Sequence, residues 1–127
     1  IMAVLEKIYK CNLCGNVVKV LCAGAGNLVC CNQDMVLQIE NTVEAAKEKH
    51  IPVVETSNGK KIIKVGSVEH PMEEKHYIQW IEIVIGDQTC IKFFKPGDKP
   101  VIEVPDCCSG NFSVKAYCNL HGLWKSK

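Results

Sequence analysis

The chain lacks any apolar stretch near the ~20 residues needed to cross a bilayer; its longest apolar runs are about strand length. It also lacks a long run of one charge sign, and its formal net charge is only +1. Neither nucleic acid nor an anionic membrane is therefore an expected partner. Glu6 and Lys7 come too early for the apolar part of a secretory signal, so a cytoplasmic location is expected. Internal repeats and low-complexity tracts are missing. Helical pattern is scarce: only Asn41 to Lys49 reads as a helix, capped by Asn41 or Thr42 with Glu44 in a capping box, and stopped before Ile51-Pro52. Histidine is absent from the first 49 residues.

Cysteine is abundant by contrast. Nine cysteines in 127 residues invite a disulfide framework, but the odd count and the missing secretory signal argue for metal ligands in a reducing compartment. Cys11, Cys14, Cys30 and Cys31 form one compact set. Cys22, Cys90, Cys107 and Cys108 read as thiols without a function, and the adjacency of the last two has no physical account.

The chain divides into two units. Residues 1–37 hold short strands and turns around Cys11-Asn-Leu-Cys14-Gly15, a strand over Asn16 to Leu21, a turn at Gly24 to Asn27, and Cys30-Cys31. So few apolar residues cannot make a stable core, so a bound metal must supply folding energy. Residues 38–127 read as antiparallel β. Val53 to Thr56 and Lys60 to Val65 flank a hairpin signal at Ser57-Asn58-Gly59. His76 to Ile85, Thr89 to Phe94, Val101 to Val104 and Asn111 to Cys118 follow. Six or seven short strands suggest a small Greek-key sandwich.

The residue types point to two kinds of metal chemistry. A Cys-x-x-Cys-Gly knuckle turns backbone amides toward thiolates, and four thiolates around one ion mean tetrahedral zinc or iron. Directly adjacent cysteines should distort that tetrahedron, which brings redox-active iron level with zinc. The second group is His50, His70, His76 and His121, with Cys118 in a Cys-x-x-His pair. None fits the His-Glu-x-x-His helix of a zinc protease. All flank loops or strand ends, and imidazoles with one thiolate suit iron, copper or zinc.

Cys11-Asn-Leu-Cys14-Gly15 with Cys30-Cys31-Asn32-Gln33-Asp34-Met35 resembles the desulforedoxin-type iron module. Glu48-Lys49-His50-Ile51-Pro52-Val53, His70-Pro71-Met72, Glu74-Lys75-His76-Tyr77-Ile78-Gln79-Trp80 and Cys118-Asn119-Leu120-His121-Gly122-Leu123-Trp124 resemble the superoxide reductase core. In this order and spacing they resemble the desulfoferrodoxins, two-iron superoxide reductases of anaerobic or microaerophilic prokaryotes.

The resemblance implies an all-β fold: a desulforedoxin-like module, then an immunoglobulin-like antiparallel β-sandwich with one short helix near residues 42–48. It implies two non-haem irons per chain. Cys11, Cys14, Cys30 and Cys31 would hold a distorted FeS4 centre. His50, His70, His76 and His121 would surround a second iron in a plane, with Cys118 as axial ligand. Glu48 would bind that iron in its resting ferric state, and Lys49 would sit at the mouth. The implied activity is one-electron reduction of superoxide to hydrogen peroxide without dioxygen formation. A rubredoxin-like carrier would donate the electron. A homodimer is implied, with a structural role for the FeS4 centre favoured over a direct relay. The competing readings are a zinc-stabilised binding module and a two-iron electron carrier.

Overall fold

The computed structural model describes residues 3, 5–41, 50–105 and 112–126. The chain separates into two compact units, Ile1–Ile39 and Glu40–Lys127. The helix expected near 42–48 and the Cys107-Cys108 pair lie outside the described residues.

The first unit is built from very short strands. β1 (Ile8–Lys10) lies between β2 (Val17–Lys19) and β5 (Val36–Leu37), both antiparallel to it. β3 (Val29–Cys30) and β4 (Gln33–Asp34) form a separate hairpin. The strand read over Asn16 to Leu21 is confined to β2. Among the described residues of this unit only Ile8, Tyr9, Cys11 and Val20 are buried hydrophobics, while Leu13, Leu21 and Ile39 are 69%, 81% and 76% exposed. That core is too small to balance the conformational entropy of the ordered chain.

The second unit is a two-sheet sandwich. One sheet runs β10-β7-β6, from β6 (Pro52–Ser57), β7 (Lys60–Val65) and β10 (Val101–Pro105). The other runs β12-β11-β8-β9, from β8 (Ile78–Ile85), β9 (Gln88–Phe93), β11 (Phe112–Cys118) and β12 (Gly122–Lys125). β12 was not expected from the sequence. Ile63 and Val65 from one sheet pack with Ile78, Ile81, Ile83, Val114, Ala116 and Cys118 from the other. β6 and β7 are joined by Asn58-Gly59, whose φ values of 50° and 74° suit the two-residue turn that matches strand twist.

One irregularity decides what faces the core beside Cys118. Along β8 and β11, Val114 opposes Ile83, Ala116 opposes Ile81 and Tyr117 opposes Trp80; then the register shifts and Cys118 opposes Ile78. The extra residue, Gln79, is a bulge. Without it the amide of Gln79 would face the core opposite Cys118. With it Ile78, fully buried, takes that place, and the Gln79 carbonyl accepts the Phe94 N–H at 2.9 Å. Trp80 and Tyr117 stack as a cross-strand pair, centroids 5.4 Å apart. Among the described residues no helix is long and apolar enough to cross a membrane.

Candidate metal centres

The first cluster is made by two tight turns. Cys11 follows β1, and its N–H donates to the Asn16 carbonyl at 2.8 Å, while Gly15 N–H donates back to the Cys11 carbonyl at 2.9 Å. Gly15 at φ 87° closes the knuckle, a conformation glycine adopts without strain. The Cys14 N–H then points at the Cys11 sulfur, 3.5 Å away. The adjacent cysteines are placed by the β3–β4 hairpin. Cys30 ends β3, and the two-residue loop is Cys31-Asn32, both left-handed at φ 53° and 61°. One thiol therefore leaves a strand and the next a left-handed turn, so neighbours in sequence reach the same point.

The four sulfurs lie within 4.8 Å of one another. Cys14 and Cys30 sulfurs are 3.6 Å apart, and those of Cys30 and Cys31 3.9 Å. These are far beyond a disulfide bond. They match the ~3.8 Å edge of a tetrahedron with metal–sulfur bonds of about 2.3 Å. The thiol electrostatics also call for a cation. The Cys14 backbone N–H, ahead of the opposing effect of burial, lowers the Cys11 pKa to about 6. The thiols of Cys14 and Cys30 push Cys31 up to about 12, and Cys14 and Cys11 raise Cys30. One thiolate forms readily, and Cys30 and Cys31 need a metal to ionise beside it. The Asn16 side-chain amide lies 3.7 Å from the Cys30 sulfur as a donor.

The second cluster draws on distant parts of the sandwich unit. His50 directly precedes the chain into β6. His70 and His76 lie between β7 and β8, and Cys118 and His121 span the end of β11 and the loop to β12. His76 does not open β8, as its sequence context suggested. It sits two residues earlier, in an isolated bridge with Glu73. Donor atoms of His50, His76, Cys118 and His121 lie within 4.8 Å of one another. His70 joins them through its Nε2, 3.1 Å from Nε2 of His50.

The imidazoles form a closed ring. Centroids of His50 and His70 are 4.7 Å apart, His70 and His76 4.7 Å, His76 and His121 5.0 Å, and His121 and His50 4.8 Å. The His50–His76 diagonal is longer, 6.3 Å, and successive rings stand nearly perpendicular, at 69–80°. Cys118, fully buried, places its sulfur 3.8 Å from Nδ1 of His121.

The protonation of this set fits a metal. Nδ1 of His70 lies 2.6 Å from the Pro71 carbonyl, which can only accept, so Nδ1 carries the proton and Nε2 keeps its lone pair. Burial, with a smaller contribution from the neighbouring imidazoles and against the Pro71 carbonyl, lowers the His70 pKa to about 4. His70 is thus neutral at pH 7, the form that binds metals. Burial raises the Cys118 thiol, while the backbone N–H groups of His121 and Leu120 favour its thiolate. A metal ion would supply the missing stabilisation. Two nitrogens at about 2.1 Å from one ion, at right angles, would lie ~3.0 Å apart, close to the His50–His70 separation.

A family described as desulfoferrodoxin matches residues 42–127, and one described as desulfoferrodoxin, N-terminal domain, matches residues 4–38. The chain belongs to the desulfoferrodoxin family. It is 56% identical over 126 residues to the desulfoferrodoxin of Syntrophotalea carbinolica, covering 99% of each chain. It is 50% identical over 123 residues to the desulfoferrodoxin homolog of Methanothermobacter thermautotrophicus, covering 97% of this chain and 99% of the relative. Among solved structures it is similar to the superoxide reductase from Treponema pallidum, with a TM-score of 0.71, 26% identity, and coverage of 95% of this chain and 96% of that one.

Within this desulfoferrodoxin framework the structure adds supports that the sequence reading did not assign. The Trp124 ring stacks on His50, centroids 4.7 Å apart and 16° from parallel, and its Nε1 donates to the His121 carbonyl at 3.1 Å. One tryptophan thus ties two members of the histidine ring together. Asn41, read as a helix cap, turns its Nδ2 to the same carbonyl at 3.2 Å, and its backbone N–H donates to Leu123 O at 2.7 Å. Trp124 stood in a quoted motif, but stacking on a residue 74 positions away leaves no local pattern. Glu48 and Lys49 lie outside the described residues. Cys22 and Cys90 are exposed and join neither cluster.

Proposed function

We propose that this chain reduces superoxide to hydrogen peroxide at iron held by His50, His70, His76, His121 and Cys118. Each turnover consumes one electron and two protons and forms no dioxygen. The observation that carries this reading is the closed ring of four imidazoles with a buried thiol at its side. Membership of the desulfoferrodoxin family, with relatives named superoxide reductase, supports it.

Iron bound in this set would supply the single electron that superoxide takes. The chain's own residues do the rest. The Pro71 carbonyl fixes the His70 tautomer, and Trp124 holds the His50 ring against rotation. The thiolate of Cys118 donates electron density, and its burial keeps solvent from the sulfur. Lys49 draws the anion by its charge. In this reading it works through a water that it orders rather than as a direct acid. Glu48 is an exchangeable carboxylate for the oxidised state and helps to expel the product.

The same reading gives Cys11, Cys14, Cys30 and Cys31 an iron with a structural role, a rubredoxin-like carrier as electron donor, a homodimer, and a cytoplasmic location in which the thiols stay reduced. Replacement of Cys118 by Ser tests the core of it. Both the thiolate-to-iron absorption band and peroxide production from superoxide are expected to vanish. Unchanged superoxide reduction in that variant would overturn the assignment. A protein with two irons that ignores superoxide would favour the electron-carrier reading.

A further inference from the structure

Asn119 lies between two members of the second cluster, Cys118 and His121, yet every hydrogen bond recorded for it reaches the segment around a third. Its Oδ1 accepts the Tyr77 N–H at 2.9 Å. Its Nδ2 donates to the Lys75 carbonyl at 3.0 Å. Its backbone N–H donates to the Tyr77 carbonyl at 3.2 Å. The residue between Lys75 and Tyr77 is His76.

The orientation of this amide is not free. A backbone carbonyl can only accept and a backbone N–H can only donate, so the oxygen must face Tyr77 and the nitrogen Lys75. A peptide group in a parallel strand bonds in the same way, giving its N–H to the residue before its partner and taking one from the residue after. The Asn119 side chain acts as a strand made of one side-chain amide, laid beside His76.

Such a device is needed at this point. The β8–β11 ladder shifts register at Tyr117/Cys118, β8 starts only at Ile78, and β11 ends at Cys118. Beyond the bulge the ladder no longer holds the His76 segment against the Cys118 segment. His76 has backbone bonds with Glu73, donating at 3.1 Å and accepting at 2.9 Å, but these only close its own turn. Asn119 ties that turn to the Cys118 loop with three hydrogen bonds.

We infer that Asn119 is a positioning residue that sets the distance between the His76 imidazole and the Cys118 sulfur, and through it the affinity and electronic character of the metal bound there. The inference rests on the reading of the second cluster as an iron centre. Shape and donor pattern together select asparagine. Aspartate keeps the acceptor for Tyr77 but turns a carboxylate oxygen against the Lys75 carbonyl. Glutamine carries both groups one methylene too far. Alanine and serine lose the pair.

The test uses the full iron-loaded protein and three variants, Asn119→Ala, Asn119→Asp and Asn119→Gln. The control is Ser126→Ala, which removes a bond of similar kind, Val114 N–H to Ser126 Oγ at 3.3 Å, away from the ligands. The oxidised protein's visible band that Cys118→Ser removes is followed while an excess of an iron chelator competes. Loss of a group supporting a ligand should weaken iron binding by roughly 10–100-fold. The Asn119 variants should therefore lose iron faster and show a shifted thiolate band. Ser126→Ala should lower the melting temperature with band and chelation rate unchanged. Should Asn119→Ala fail to fold, the Asp and Gln variants decide by the same two readouts. A band and a chelation rate within about twofold of the parent in every folded Asn119 variant would overturn the inference, whatever happens to the melting temperature. If the parent shows no band that depends on Cys118, the iron reading itself falls, and this inference with it.

Discussion

The two clusters solve the same problem, gathering soft ligands around a point, in opposite ways. Cys11, Cys14, Cys30 and Cys31 come from two turns in a unit with almost no core, and Cys14 and Cys31 are exposed. The cluster must help to build the unit that carries it. The second cluster is set on a sandwich whose sheets already enclose Ile63, Ile81, Ile83 and Val114. Its members come from the end of β11 and from loops beside the strands, and it inherits rigidity from the strands rather than supplying it. A site that builds its unit is suited to a closed, structural ion. A site carried by a finished scaffold can be aimed for reactivity.

Removal of one sulfur from each side should expose that difference most sharply. Cys118→Ser should leave the sandwich folded while abolishing the thiolate band and superoxide reduction, an all-or-none effect on function. Cys14→Ser should do the reverse: the first metal is lost, the first unit unfolds, and the second centre keeps its iron and spectrum. Amide hydrogen exchange resolves the two units, because protection should vanish only in Ile8–Leu37. Loss of both irons together would show that the units do not stand independently.

The contrast also explains what could be read in the sequence. The first cluster was legible because its spacing is its geometry: two cysteines on one knuckle and two on one hairpin. The hairpin at Asn58-Gly59 was legible for the same local reason. The left-handed Cys31-Asn32 loop was not, since nothing in a cysteine announces positive φ. For the second cluster the ligand types were legible, but their ring arrangement and their supports were not. Stacking of Trp124 on His50, the Pro71 carbonyl on His70 and the grip of Asn119 beside His76 join residues that only the folded sheet brings together. The bulge at Gln79 was hidden too, because His76 to Ile85 reads as an unbroken strand. β12 escaped for want of length: Gly122–Lys125 is four residues and gains its identity from pairing with β11.

A truncation within the sandwich should sharpen the claim that the scaffold comes first. Ile81 is fully buried between the sheets. Ile81→Ala removes its outer carbons and leaves a cavity, which should cost about 2–5 kcal/mol. Denaturant unfolding of the metal-free second unit measures it. The tetrathiolate spectrum should not change, because that unit shares none of this core. A loss well under 1 kcal/mol would mean that the sandwich owes its stability to the metal after all, and the contrast would collapse.

The smallest expected effect concerns the approach of the substrate. Among the described residues, the charges that flank His70 and His76 in sequence are Glu69, Glu73, Glu74 and Lys75, all exposed and acidic on balance. Superoxide is an anion, so these carboxylates oppose its approach, and the role proposed for Lys49, next to His50 in sequence, is to offset them. Lys49→Ile should slow the bimolecular reaction with superoxide by about 10-fold at low ionic strength. The gap should narrow as salt rises, because the Debye length shrinks to about 8 Å at 0.15 M. In the parent the rate should fall with salt; in the variant the slope should flatten, since less attraction is left to screen. Pulse-radiolysis rates at a series of ionic strengths give both slopes. Parallel slopes would remove Lys49 from the steering role and leave the field at the mouth to the metal's own charge.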